Sequence, residues 1–276
     1  GDQKISGSEI FLQYEEEELK EIYIPEKAQA QTLSSGIRET INVIDGDSTM
    51  SQEPLSFSDD MTGSILRGFF KDGELDSVRL EGMATTLYHI FEDSIYQGNN
   101  RASGDTIVLK FGEDDLESIF ISGGSEGTYT PDSLGSDIDG KVVYQSDKIK
   151  YNMQDESTDL LGEANIDYTD MNLKAGFINV AWRSNLLKAL PSSDKDSTIT
   201  PFRPTMIEEG NEPMVGDTMI YNLDSQNGKV IRGKTKADDG YYHGKEIRNQ
   251  NMDIFYIDDA IYLSLIHISE PTRPDY

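Results

Sequence analysis

The chain has 276 residues, with 24 Lys and Arg against 51 Asp and Glu, and a formal net charge of -27. Such a field repels nucleic acid and anionic membrane surfaces. The lack of cysteine excludes a disulfide framework and thiolate metal sites, and no apolar run approaches the ~18 residues that a membrane helix needs. A saline habitat would account for the charge as simply as any function. The length allows one large β domain or two ordinary ones. The sequence opens on GDQKIS, with neither Met nor a signal peptide, which predicts a processed chain or a piece of a longer one.

Taken in chain order, the first element is SGSEIFLQYEEEELKEIYIPEKAQA, Ser6 to Ala30. It reads as an alternating strand, an acidic turn and a second alternating strand. The tetraglutamate Glu15–Glu18 falls at the turn and is expected to be a solvated hairpin tip rather than a cation site. From Leu33 to Asp60 the alternation is weakest, and a long connection or a degenerate repeat is expected. FFKDGELDSVRLEGMA then repeats the second half of the first unit, with Leu75, Val78, Leu80 and Gly82 in the matching places. SGDTIVLKFGEDDLESIFISGGSEG, Ser103 to Gly127, aligns with Ser6–Ala30 without a gap. Ile10, Leu12 and Tyr14 match Ile107, Leu109 and Phe111, and Leu19, Ile22 and Ile24 match Leu116, Ile119 and Ile121. GDTMIYNL, Gly216 to Leu223, repeats GDTIVLKF, Gly104 to Phe111.

Period-2 alternation puts Ile107, Leu109 and Phe111 on one face and polar residues on the other. Gly, Asp, Asn and Ser clusters punctuate the runs as turns do. One such hairpin cannot bury its apolar face, but stacked copies can. An elongated β sandwich, jelly roll or solenoid is therefore expected.

Residues 146–189 read SDKIKYNMQDESTDLLGEANIDYTDMNLKAGFINVAWRSNLLKA. Strands are predicted at Lys148–Asn152, Asp159–Tyr168, Asn172–Trp182 and Leu186–Ala189, with YTDMN as a hairpin turn. Ile149, Tyr151, Leu161, Gly162, Ala164, Ile166, Tyr168, Asp170, Leu173, Ala175, Ile178, Val180, Trp182, Asn185, Leu187 and Ala189 follow one another as in the OstA/LptA/LptD family of lipopolysaccharide-transport proteins. The segment resembles that family's pattern L-x-G-x-A-x-V-x-Y-x-D-x-x-L-x-A-x-x-I-x-V-x-W-x-x-N-x-L-x-A, with small spacing differences near Leu161. The likeness continues through PTMIEEGNEPMVGDTMIYNLDSQNGKVIRGKTKADDGYYHG, Pro204 to Gly244, which is similar to the N-terminal domain of LptD. Met206 stands where that family usually has Phe, and DSQNG where it often has KTKKG.

The resemblance implies an all-β, elongated β-jellyroll (β-taco) built from repeated antiparallel hairpin-like units. Residues 1–135 are expected to form more divergent OstA-like repeats and 136–262 the LptD N-terminal-like jellyroll. A periplasmic location is implied, with lipopolysaccharide or a related lipid as partner. Other jellyroll transport proteins would join through edge strands, and a C-terminal outer-membrane barrel would follow beyond the given sequence. The predicted trough lining is Ile107, Leu109, Phe111, Ile119, Ile121, Ile149, Tyr151, Ile166, Tyr168, Ile178, Val180, Trp182, Met219 and Tyr221; a closed, dry core is the competing expectation. Each methylene moved from water into such a trough is worth ~0.8 kcal/mol, so acyl chains could be carried without directional chemistry. The acidic chain conflicts with anionic head groups unless these stay outside and divalent cations bridge them.

Signals for chemistry are weak. His89 and His243 lack a neighbouring His or Cys at ligand spacing, so no metal site is expected. DIDG (Asp137–Gly140) and DGD (Asp45–Asp47) are only fragments of a calcium loop. No G-x-S-x-G, P-loop or dinucleotide fingerprint occurs, and no cofactor is expected. The alternative to a non-catalytic lipid-transport domain is a carbohydrate-active β-solenoid or sandwich enzyme, or a polysaccharide-binding protein. An enzyme should cluster polar residues on one exposed face, whereas apolar residues here keep alternate positions through nearly every strand.

The final stretch, LSLIHISEPTRPDY, resembles none of these strands. Leu263–Arg273 matches, codon by codon, the translation of a sequencing-library transposase adapter. Residues 263–276 are therefore expected to be an assembly artefact, His267 no site, and the gene to continue beyond Tyr262.

Overall fold

The computed structural model describes residues 4–44, 47–112, 116–192, 202–237, 240–250 and 254–264. Glu-, Asp- and Gly-punctuated alternation becomes twenty strands with one 3₁₀ turn and, among the described residues, no α-helix. The first strands are β1 (Lys4–Ser6), β2 (Phe11–Glu15), β3 (Glu18–Ile24), β4 (Ala28–Ile44), β5 (Asp47–Gly63) and β6 (Ile65–Lys71). Long strands follow: β7 (Glu74–Glu92), β8 (Ile95–Phe111), β9 (Leu116–Pro131), β10 (Val142–Asn152), β11 (Ser157–Tyr168) and β12 (Met171–Ala181). Shorter ones come next: β13 (Leu186–Leu190), β14 (Thr205–Glu208), β15 (Met214–Val215) and β16 (Thr218–Asn222). The last are β17 (Gly228–Ala237), β18 (Gly240–Gln250), β19 (Ile254–Asp258) and β20 (Ile261–Ser264).

All belong to one sheet, antiparallel apart from a single parallel bridge, Ile37 to Ile95. The sheet is creased along its length. Neighbouring strands slip register at corresponding places: Glu81/Ala84 against β8, Ser103/Thr106 against β9, Ser146/Lys148 between β10 and β9, and Leu161/Ala164 between β11 and β12. On either side of the crease a strand meets different partners. β12 pairs with β13 through Phe177–Ala181 and with β14 through Met171–Lys174. β18 pairs with β19 through Glu246–Gln250 and with β20 through Gly240–His243. The sheet thus doubles over into two leaves with facing inner surfaces, an elongated β-jellyroll.

The bulges explain how one apolar set stays inside across the crease. In β8 the buried positions run Tyr96, Gly98, Asn100, Ala102, Gly104 and then Ile107, Leu109. One extra residue at Asp105 shifts the alternation from even to odd, which in a flat strand would turn every later side chain outward. At the crease it instead keeps both halves facing the interior. β11 makes the same corner with Gly162 (φ 78°) and Glu163 (φ 42°). The Asp147 side chain lies where a Cβ on Gly162 would sit, so this corner needs glycine both for its backbone angle and for space. The inward place before this corner belongs to Leu160, which is 0% exposed, rather than to Leu161, so L-x-G-x-A is met by Leu160, Gly162 and Ala164 without a spacing difference.

The core runs between the leaves from Ile24 through Leu80, Ile121, Ile149, Leu160, Ile166 and Leu173 to Val230 and Ile247. The stretch 33–60 is not a connection. It lies almost wholly in one long hairpin, β4 against β5, in register from Ala28–Gly63 to Ile44–Asp47. Its strands are polar on both faces, with Leu33, Ile41 and Met50 exposed, which is why alternation is faint there. Glu15–Glu18 is the hairpin tip: Glu15 pairs with Glu18, and Glu16 and Glu17 take φ of 50° and 70°. Residues 193–201 and the tail from 265 onward, His267 included, lie outside the described residues, as do Asp45 and Gly46 of the DGD fragment. Leu263 and Ser264 pair with Tyr241 and Gly240 in β20.

Candidate functional site: the interior, its seam and its C-terminal mouth

The residues expected to line a trough all belong to inward-facing rows. Ile107, Leu109, Ile119, Ile121, Ile149, Tyr151, Ile166, Tyr168, Ile178, Val180, Met219 and Tyr221 are buried, while Phe111 and Trp182 are partly buried and pack against them. Trp182 does not end a strand as expected. It opens the 3₁₀ turn Trp182–Ser184 beyond β12, and Asn185 closes that turn in the left-handed region.

Opposite the crease the turns of the two leaves meet in a seam, and aromatic side chains bridge it. The Trp182 ring lies 5.4 Å from that of Tyr129 on the other leaf, and its Nε1–H donates to Thr158 Oγ1 at 2.8 Å. The Tyr168 hydroxyl donates across to the Leu223 carbonyl at 3.0 Å. Deeper in, the Tyr144 hydroxyl donates to Asn100 Oδ1 at 2.6 Å and lies 2.6 Å from that of Tyr151. Tyr88 stands directly opposite Asn100 across β7 and β8. Burial pushes the hydroxyls of Tyr88, Tyr144 and Tyr151 well above the usual phenol range. Asn100 is thus a polar hub in an apolar interior, tying β7, β8 and β10 together. Sequence reasoning missed it, although an Asn in step with Tyr96 and Ala102 was the available signal.

A second polar cluster lies where the β4–β5 hairpin crosses the end of β7. The half-buried His89 places Nδ1 2.7 Å from Asp59 Oδ1 and stacks on Phe57 with centroids 4.1 Å apart. Ser34 also donates to Asp59, and Arg38 pairs with the buried Asp132. These contacts span 25 to 94 residues of sequence, beyond any local pattern. Among the described residues no group of three or more His, Asp or Glu could hold a metal ion.

The interior opens at the C-terminal end. One cavity of about 250 Å³ is lined by Met206, Met214, Tyr242 and Ile257, with Glu208, Asn211, Glu212, Thr235 and Lys236 around them. A wider one of about 810 Å³ is lined by Asn227, Gly228, Lys229, Glu246, Arg248, Asn249, Tyr256, Ile257 and Asp258. Ile257 borders both. Burial pushes the Glu208 carboxyl up, and it accepts a hydrogen bond from a neutral group, the Asn211 amide, at 3.3 Å. Asn249 is 6% exposed, and among the described residues neither atom of its amide has a hydrogen-bond partner.

Both ends of the roll leave apolar side chains uncovered: Ile10, Phe11, Leu12 and Tyr14 at one, Tyr256, Ile261, Tyr262 and Leu263 at the other. Ile10, Leu12 and Tyr14 occupy the repeat positions of Ile107, Leu109 and Phe111, yet they are exposed because, among the described residues, β2 pairs with β3 alone.

No protein-family model matches the chain, and no curated protein matches it. Among solved structures the chain is similar to LptH of Pseudomonas aeruginosa, described as the LptA-homologous periplasmic component of the lipopolysaccharide transport device. The two share 13% identity over 55% of this chain and 94% of that one, with a TM-score of 0.44.

Proposed function

We propose that this chain is a non-catalytic, periplasmic lipopolysaccharide-transport domain, holding acyl chains between its two leaves and joining partner jellyrolls through its uncovered end strands. The observation that carries this reading is the apolar interior, continuous between the leaves and open at the C-terminal mouth. It agrees with the sequence resemblance to the OstA/LptA/LptD family.

Acyl chains would enter by parting the seam or from the open end, and each methylene buried contributes ~0.8 kcal/mol. The interior is filled by side chains at present, so loading requires the leaves to separate. Trp182 and Tyr129 are the first contact to break, since Trp182 is only partly buried. At the ends, unpaired strand edges offer backbone donors and acceptors for β-augmentation, and the exposed apolar residues beside them would be buried by a partner. Attachment to an outer-membrane barrel beyond Tyr262 belongs to the same reading. A saccharide-directed reading has less support, because the inward faces carry aliphatic and tyrosine side chains rather than clustered carboxylates.

A photo-crosslinking residue at position 182, in cells, tests the proposal. Adducts with lipopolysaccharide are expected. Their absence from properly folded protein would overturn it.

A further inference from the structure

The apolar interior contains a hydroxyl that its packing does not use. Thr86 on β7 is 2% exposed, and among the described residues its Oγ1 makes no hydrogen bond. A buried hydroxyl left unmet costs free energy that valine, of the same shape, would not. The register places this hydroxyl at the Asn100 hub. Thr86 stands opposite Ala102, and Tyr88, two residues along the same face, stands opposite Asn100. Thr86 and Asn100 are therefore diagonal neighbours, with Cβ atoms about 7–8 Å apart. One small polar group can bridge that separation.

The groups around Thr86 leave it room and connect it to both leaves. Ala102 beside it is small, and Gly127, next across the sheet, has no side chain. The Tyr144 ring lies over Gly127. Its hydroxyl thereby reaches Asn100 Oδ1 and the Tyr151 hydroxyl, each at 2.6 Å. Tyr144 and Tyr151 lie on opposite sides of the crease in β10, so their contact joins the leaves. The hub sits just behind the seam. Asn100 stands opposite Tyr129, whose ring meets Trp182, and the Thr86–Ala102 pair lies one inward step deeper, about 7 Å.

Parting the leaves for a plain hydrocarbon chain would break the Tyr144–Tyr151 contact and add another unmet hydroxyl to that of Thr86. A chain with a hydroxyl of its own supplies both a donor and an acceptor at this depth. Buried polar groups that a ligand must match discriminate strongly against the analogue lacking the match.

We propose that Thr86, with the Asn100–Tyr144 pair, is a recognition site for a hydroxyl group on an acyl chain, near the head of the lipid. On the transport reading, on which this assignment rests, the interior selects hydroxylated chains over plain ones.

The test is calorimetric titration of the full chain with 3-hydroxytetradecanoate and tetradecanoate, which share head group and length, together with NMR of the Thr86 γ2-methyl group. The hydroxy acid is expected to bind about tenfold more tightly, the scale of one hydrogen bond to groups otherwise unmet, and to shift the Thr86 signal. Thr86→Val keeps the side-chain shape. It should bring the hydroxy acid down to the affinity of tetradecanoate and leave tetradecanoate unchanged. It should not lower the melting temperature, because the lost hydroxyl had no partner. Equal affinities in the unaltered chain, an unshifted Thr86 signal, or a preference that survives in folded Thr86→Val would each overturn the proposal. Tetradecanoate still binds in those three cases, so the transport reading stands. Binding of neither acid would overturn both.

Discussion

Tyr151 illustrates what one hydroxyl does in this interior. It is 3% exposed and meets the Tyr144 hydroxyl, which in turn donates to Asn100. Removing it with Tyr151→Phe leaves the apolar packing in place but deprives a buried network of one member. The expected cost is about 1–2 kcal/mol, read as a lower urea midpoint with an unchanged slope. The same cluster sets an alkaline limit. The folded-state pKa values of Tyr88, Tyr144 and Tyr151 are raised by burial, so the neutral phenols bind their protons more tightly in the folded chain than in the unfolded one. Stability from this source is complete below the unfolded tyrosine pKa of ~10 and declines as pH rises through and above it, by up to ~1.4 kcal/mol per pH unit for each tyrosine. Tyrosinate absorbance from these residues should therefore appear together with loss of β-sheet circular dichroism. Their ionisation well before unfolding would contradict the buried cluster. The alternation of Tyr144 and Tyr151 was readable from sequence. Their mutual contact was not, because a bulge and two leaves lie between them.

At the scale of elements, the tight hairpins expose a mismatch between sequence and backbone. The two-residue turns Glu16–Glu17, Asp72–Gly73 and Asp93–Ser94 all have positive φ at both positions, the geometry that favours Asn-Gly and Asp-Gly. Asp72–Gly73 suits it, whereas Glu16–Glu17 places two non-glycine residues in the left-handed region and four carboxylates side by side. Glu16→Asn combined with Glu17→Gly should raise stability by about 1 kcal/mol, measured by urea denaturation. A loss of stability would mean that the tetraglutamate has a partner this turn geometry does not show. The hairpin itself was legible from alternation around an acidic tip. The β4–β5 hairpin was not, since its pairs such as Ser35–Ser56 and Thr40–Ser51 put polar residues opposite one another, and no apolar stripe marks its register.

At the scale of the whole molecule, charge opposes compaction. A net charge of -27 on one elongated roll creates self-repulsion that salt screens, the Debye length falling from ~30 Å at 0.01 M to ~8 Å at 0.15 M. The melting temperature should rise by roughly a few degrees over that range. A flat response would show that the charges are already compensated locally, as Asp217 is by Arg203 and Arg232. On the transport reading, binding of lipopolysaccharide should strengthen with Mg²⁺ and weaken with EDTA, because a divalent ion can bridge an acidic protein and an anionic head group. Binding indifferent to EDTA would sink that account of the charge.

Outside the β4–β5 hairpin, the sequence by itself determined the strands, their turns and the inward face, because period-2 alternation and Gly/Asp punctuation are local properties. It thereby determined an all-β fold of stacked hairpins and the inward rows of Ile107, Ile121, Ile149 and Ile178. Only the tertiary structure decided where the sheet creases, since a one-residue slip at Asp105 has meaning only against its neighbours in β7 and β9. It also decided which repeats are buried: Leu12 and Leu109 hold the same place in the pattern, yet one is 52% exposed and the other 0%. Burial depends on the strand stacked beyond, and that is a property of position in the roll rather than of the residue.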